Sequence, residues 1–323
     1  MTTGQPPLGT VIPLRPLSLT DILNGAVAYI RANPKATLGL ATVVVLGSQI
    51  IALLLQVGPL STLGGLDSAV QGDAPSPGAI AVFVAGAFAG IAVTALASLL
   101  LSGMLTVVIG RSVFGGTISI GEAWQRLRGR LPALLGLTLL QAVALGAAVV
   151  GMIAVIAAMG ALGGAAAAFA VGAPMLLIAL VAVVAASTFL LFAPAVIVLE
   201  HRGIVASIIR SFALVKKFFW RVLGIWILSG IVAGVIAWGV GGPFNLAGQI
   251  LAAASSGPVL PALAFSAVGS AVGQIVTAPF SAGVVVLLYA DSRFRAEAFD
   301  LLLATGAPGP VETTDQLWLP QYI

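Results

Sequence analysis

Six stretches of this chain are apolar for long enough to cross a bilayer. They lie near 36–57, 78–109, 132–159, 173–199, 218–241 and 258–290. Asp, Glu, Lys, Arg and His are missing from them, with Arg221 at the entry to the fifth counted with the connector before it. A membrane helix needs about 20 residues to cross roughly 30 Å of hydrocarbon. Over the whole chain, charged residues make up 7% and hydrophobic residues 60%. A soluble domain carries about a quarter charged residues, and this chain could not cover a water-facing surface. The expected fold class is therefore all-α: a polytopic membrane helix bundle. The chain has no cysteine, which excludes disulfides and thiolate chemistry.

Charge sets the orientation. The connectors at 58–77, 160–172 and 242–257 carry no cation. All 14 Lys and Arg fall before the first span, after the last, or in the two remaining connectors. Cations mark the cytoplasmic side of membrane helices. The sorting predicts a cell-membrane protein with both termini in the cytoplasm. It points to orientation rather than to nucleic-acid binding.

A repeat accompanies the spans. Short amphipathic stretches precede the first, third and fifth. Ser18 with Asp21, and Ser119 with Glu122, have the spacing of a capping box, in which hydroxyl and carboxylate satisfy free helix amides. The third stretch starts at Gly203 and carries Ile204, Ile208, Phe212, Val215 and Phe219 as its apolar stripe. Helices of this kind lie in the membrane interface. The pattern predicts three parallel hairpin repeats, each led by an interfacial elbow. Residues 1–17 are expected to be a flexible cytoplasmic lead, 18–303 the six-helix domain, and 304–323 a disordered cytoplasmic tail.

Few residues invite chemistry. Gly86 and Gly90, Gly230 and Gly234, and Gly269 and Gly273 have the spacing that lets membrane helices approach closely; packing within the chain is the expectation. Thr94, Ser98, Ser102 and Thr106 recur every four residues, as do Ser266, Ser270 and Gln274, with Thr277 one short. Each set is a polar stripe. Interhelical hydrogen bonding is the expected use, and lining a cavity or a headgroup path the alternative. Pro194 and Pro279 lie inside the fourth and sixth spans and predict kinks; a broken helix exposing carbonyls is the rarer outcome. Glu200 and His201 read as a solvated interface pair, and Trp226 as packing. Arg126, Arg128 and Arg130, with Lys216, Lys217 and Arg221, form basic clusters at the inner surface, where anionic lipid headgroups are the expected partners. The sequence offers no nucleophile with a base and no metal-ligand set, so neither an enzyme nor a cofactor is expected.

The abrupt charges after the last span, Asp291, Arg293, Arg295, Glu297 and Asp300, mark its exit from lipid. The first four are spaced by two, so on a helix they spread around rather than share one face. A salt-bridged clasp against the elbows, with Arg210 and Arg221 as candidates, is the expectation. Pro279-Phe280, Leu287 to Tyr289 and this charged run resemble a bacterial six-span family named for the membrane domain of glycerophosphoryl diester phosphodiesterases. Arg15 to Ser18 with Asp21 to Leu23, and Arg210-Ser211 through Phe219 to Gly224, are similar to its other recurring motifs. The resemblance implies a six-span membrane domain. Some relatives carry a phosphodiesterase barrel as well; none is expected here, so the enzymatic name is not carried over.

Function is thus expected to be non-catalytic: organising or binding lipids or partner proteins at the cytoplasmic membrane. The alternative is a transporter or lipid-translocating protein, against which counts the lack of intramembrane charge for proton coupling. A polar-lined midplane cavity favours that alternative, and dry, tightly packed helices count against it.

Overall fold

The computed structural model describes residues 15–62, 77–112, 118–254 and 260–297. They form helices α1 (Leu19–Ala32), α2 (Pro34–Thr62), α3 (Pro77–Ser112), α4 (Ile120–Arg128), α5 (Leu131–Leu190), α6 (Ala193–Leu199), α7 (Ile204–Ala254) and α8 (Leu260–Glu297). The expected tail, with Asp300, lies outside the described residues.

Both capping boxes are present. The Ser18 hydroxyl accepts from the Asp21 amide at 3.1 Å, and the Asp21 carboxylate accepts from the Ser18 amide at 2.9 Å. Ser119 and Glu122 repeat the exchange at α4. Satisfying amides that a helix start leaves free is what lets so short a helix as α4 form. The third elbow is not a separate helix. It is the first part of α7, set off by a kink at Phe218 (φ −133°, ψ 30°).

Among the described residues five helical segments are long and apolar enough to cross a membrane: Pro34–Leu55, Ala92–Ser112, Leu131–Leu199, Ile204–Ala253 and Pro261–Glu297. The third is not straight. Gly164 adopts φ 71°, ψ −172°, a conformation open to glycine because it lacks a Cβ. The two arms of α5 meet there: a Cβ added to Gly172 would lie 3.4 Å from Ile156 Cδ1. Sixteen residues along a straight helix span about 24 Å, so α5 doubles back at this glycine. The connector expected over 160–172 is thus helical on both sides of a one-residue reversal.

Two further differences concern helix ends. Helix was expected to stop near 241, yet α7 continues to Ala254 with Pro243 inside it. The Asn245 side-chain amide donates to the Gly241 carbonyl at 3.0 Å, satisfying backbone beside the proline. At Pro194 the expected kink is a break. Leu191 and Phe192 form a turn between α5 and α6. The break is pinned from α7, where the Ser211 hydroxyl donates to the Phe189 carbonyl (2.6 Å) and accepts from the Phe192 amide (3.2 Å).

α7 and α8 run antiparallel in close contact. A Cβ on Gly241 would come 2.3 Å from the Gly269 carbonyl oxygen, and Gly273 faces Ala237. For Gly269 and Gly273, then, small residues do bring two backbones together inside the chain. Gly230 and Gly234 depart from the expectation: nothing lies within 4 Å of a Cβ placed on either.

Burial is concentrated at one end of the bundle. Residues 104–110, 192–193, 195–200 and 286–294 are buried, as are Leu17, Ile22, Ala26 and Tyr29. The far part of α5 is the reverse. Leu139, Val150, Ile153, Leu177 and Ile178 are all more than half exposed, the surface that lipid rather than water would cover.

Candidate functional site

The buried end is held by charge. The run from Asp291 to Glu297 stays helical, and its spacing by two produces two i,i+4 pairs on opposite faces. Arg295 donates to Asp291 at 2.9 Å and Arg293 donates to Glu297 at 3.1 Å. On one face, Asp291 also accepts from Arg221 of α7 (3.1 Å) and from the Leu17 amide (2.8 Å). The Leu17 carbonyl in turn accepts from Arg221 (2.7 Å) and Arg295 (3.0 Å). On the other face Glu297 pairs with Arg210, and both reach Glu200 through arginines. Glu200 accepts from Arg202 (2.9 Å), Arg210 (3.2 Å) and the Tyr289 hydroxyl, with Arg293 4.0 Å away.

This arrangement corrects two readings. Leu17 was assigned to a flexible lead, yet it is fully buried and its peptide is gripped on both sides. Glu200 was expected to be solvated, yet its side chain has no exposed surface. The charged run spreads around the helix rather than along one face, and the spread takes the form of two opposed i,i+4 pairs. Burying a carboxylate is unfavourable unless cations and donors compensate it, and here the partners are present. His201 stands apart from the clasp in a left-handed conformation (φ 58°), and its carbonyl accepts from Arg130 at 3.3 Å. Burial, with Arg130 and Arg126 near by, lowers its pKa, so the ring is neutral at pH 7.

α1 is fastened beside the clasp. The Tyr29 hydroxyl donates to the Pro279 carbonyl, and Gly283 leaves room for its ring. Pro279 remains inside α8 without a break.

Beneath the clasp lies a cavity of about 410 Å³ between α2, α3, the α5–α6 break, α7 and α8. The α3 stripe of Thr94, Ser98, Ser102 and Thr106 forms one wall. Ser48, Ser187, Gln274 and Ser281 add polar groups, Trp226 an indole, and Pro194 part of the floor. Ser98, Ser102 and Ser281 are exposed, so the space is open rather than sealed. Interhelical hydrogen bonding was the expected use of this stripe. Instead Thr94 donates to Gly90 and Thr106 to Ser102, both on their own helix. Of the α8 stripe, Gln274 reaches the cavity; Ser266 faces Gly248, and Thr277 donates to Gly273.

Sequence reasoning missed Tyr289 and Trp226 as site residues, and it underrated Glu200. A carboxylate directly after an uninterrupted apolar run was the available signal for Glu200. Among the described residues no group of three or more acidic or histidine side chains is placed to hold a metal ion.

The fold and site define a polytopic helical membrane protein with a charge clasp at one end and a hydroxyl-lined cavity within the bundle. Residues 17–292 match a family described as a domain of unknown function (DUF7847), and the chain belongs to it. Comparison with the curated proteins and with the solved structures gives no match.

Proposed function

We propose that this protein is a non-enzymatic lipid-binding protein of the cytoplasmic membrane, holding an amphiphile within its bundle. The observation that carries the reading is the cavity. Its volume of about 410 Å³ falls in the range of small-molecule sites, about 300–1,000 Å³. Polar groups in a membrane interior are costly unless used, and this wall sets hydroxyls at every turn of α3.

The reading includes a topology. α5 folded at Gly164 counts as two spans, and six spans then form three parallel hairpins. The elbows α1 and α4 and the start of α7 would lie on the cytoplasmic face, with both termini. In support, Leu17, Arg221 and Asp291 meet at one end of the bundle, as do Arg130 and His201. Among the described residues five arginines meet three carboxylates in the clasp, a basic character that suits anionic headgroups at the inner leaflet. Kinship with the glycerophosphoryl diester phosphodiesterase membrane domain belongs to the same reading. It rests on the motif residues around Ser18, Arg210 and Tyr289, which are the parts of the clasp.

Mass spectrometry of protein purified in native nanodiscs tests it. One lipid class should be enriched over the surrounding bilayer, and Ser102→Phe, which fills the cavity, should remove the enrichment. Co-purified lipid matching the bulk membrane would refute the reading. Hydrolysis of a glycerophosphodiester by the purified protein would refute its non-enzymatic part.

Translocation is a second reading, favoured by the helix break that forms the cavity floor. Fluorescent lipid should then cross liposomes containing the protein faster than protein-free ones.

A further inference from the structure

The chemistry of the cavity wall restricts the ligand. A hydroxyl has one proton to give and two lone pairs to accept with. Four of the wall hydroxyls have spent that proton on their own helices: Thr94 on Gly90 (2.9 Å), Thr106 on Ser102 (2.8 Å), Ser48 on Val45 (2.9 Å) and Ser187 on Val184 (3.0 Å). Towards the cavity they offer only acceptors. Donors stand beside them: the Gln274 amide, the Trp226 indole N–H and the hydroxyls of Ser98, Ser102 and Ser281 line the same space. Among the described residues no Asp, Glu, Lys or Arg lines the space. A phosphate would meet neutral donors but no cation to balance its charge. An ammonium would meet acceptors but no counter-charge in a poorly solvated place. Hydroxyl groups on a neutral head both donate and accept, so they match this mixed wall without bringing a charge.

We propose that the cavity takes an uncharged, hydroxyl-bearing lipid headgroup, as in an acylglycerol or a glycolipid, which donates hydrogen bonds to the wall hydroxyls whose own protons are spent. This rests on the lipid-binding reading above and deepens it. Ser98, Ser102 and Ser281, being exposed, are the groups that a headgroup meets on entry. The acyl chain would pass out between the helices into the bilayer, which the open side of the cavity permits.

Trp226 in the wall provides the readout. The remaining tryptophans, Trp124, Trp220, Trp238 and Trp318, are replaced by Phe, and the full chain is placed in zwitterionic nanodiscs. Three probes carry the same brominated chain: a monoacylglycerol, its di-O-methyl ether, and a lysophosphatidate. The monoacylglycerol should quench Trp226 saturably. The methyl ether, which has no proton to donate, and the anionic lysophosphatidate should each need at least about tenfold more, a difference of about 1.4 kcal/mol. Thr106→Val, which keeps shape and removes the acceptor, should weaken the monoacylglycerol alone; a glycolipid with the same chain then shows whether glycerol or sugar is the better head. Equal quenching by all three probes would overturn the donor assignment and leave lipid binding standing. Absence of saturable quenching by any probe would overturn both.

Discussion

Neutralising Asp291 should release the N-terminal elbow while leaving the spans in place. Asp291 is 1% exposed and accepts from the Leu17 amide and from Arg221 and Arg295. In Asp291→Asn one oxygen remains for the Leu17 amide, but the charge is gone and two guanidiniums lose their counter-ion. Removing one partner of a buried pair costs about 3–5 kcal/mol. Arg221 and Arg295 are 34% and 30% exposed, so water recovers part of the loss and the lower end, about 3 kcal/mol, applies. A cost of this size raises the equilibrium for opening by roughly a hundredfold. Hydrogen exchange of residues 17–32 in detergent or nanodiscs reads it: protection should fall by about two orders of magnitude, while α7 and α8 away from the clasp keep theirs. Arg221→Gln alone should have a smaller effect, and adding it to Asp291→Asn should cost less than the sum, because the two act through one contact. Unchanged protection of α1 in Asp291→Asn, or strict additivity of the pair, would refute the clasp as the fastening of the elbow.

Other outcomes follow from single features. His201→Gly should raise the midpoint of thermal unfolding, since φ 58° costs a branched residue about 1–2 kcal/mol that glycine does not incur. A lower midpoint would show that the ring contributes more than its backbone costs. Asp21 and Glu122 are held below the ordinary carboxylate pKa by hydrogen bonds from Ser18 and Ser119. The two caps should therefore hold fully above the unfolded carboxylate pKa, near 4, and be lost as pH falls through the lower folded values. Fluorescence of Trp124 in α4 should shift in acid, and earlier in Ser119→Ala; a pH-independent signal would count against the capping argument. For the topology, Gln125→Cys and Ala165→Cys, both exposed in a chain without native cysteine, should label from opposite sides of intact cells. Same-side labelling would remove the fold-back at Gly164 from the membrane.

Local rules carried the sequence reading as far as they apply. The capping boxes at Ser18 and Ser119 involve residues three apart, so their spacing alone gave them away. The long apolar runs announced membrane helices because hydrophobic length is a one-dimensional quantity. Helix ends were less legible. Glycine-rich stretches at 160–172 and 242–257 look like connectors, yet in a membrane the backbone must satisfy itself, and helix reaches within a residue of Gly164 on both sides and runs past Pro243 to Ala254.

The composition and periodicity of the chain thus determined its class: an all-α membrane protein of apolar helices with amphipathic elbows and a charged exit after the last span. Tertiary structure decided what the polar residues are for. Asp291 and Leu17 are 274 positions apart, and Glu200 and Tyr289 are 89 apart, separations at which no local pattern signals contact. The hydroxyls of α3 look the same in sequence whether they bond a neighbouring helix, their own turn or a ligand. Only the placement of α2, the α5–α6 break, α7 and α8 around them leaves a cavity on that face. The lone pairs it exposes are a property of the assembled bundle.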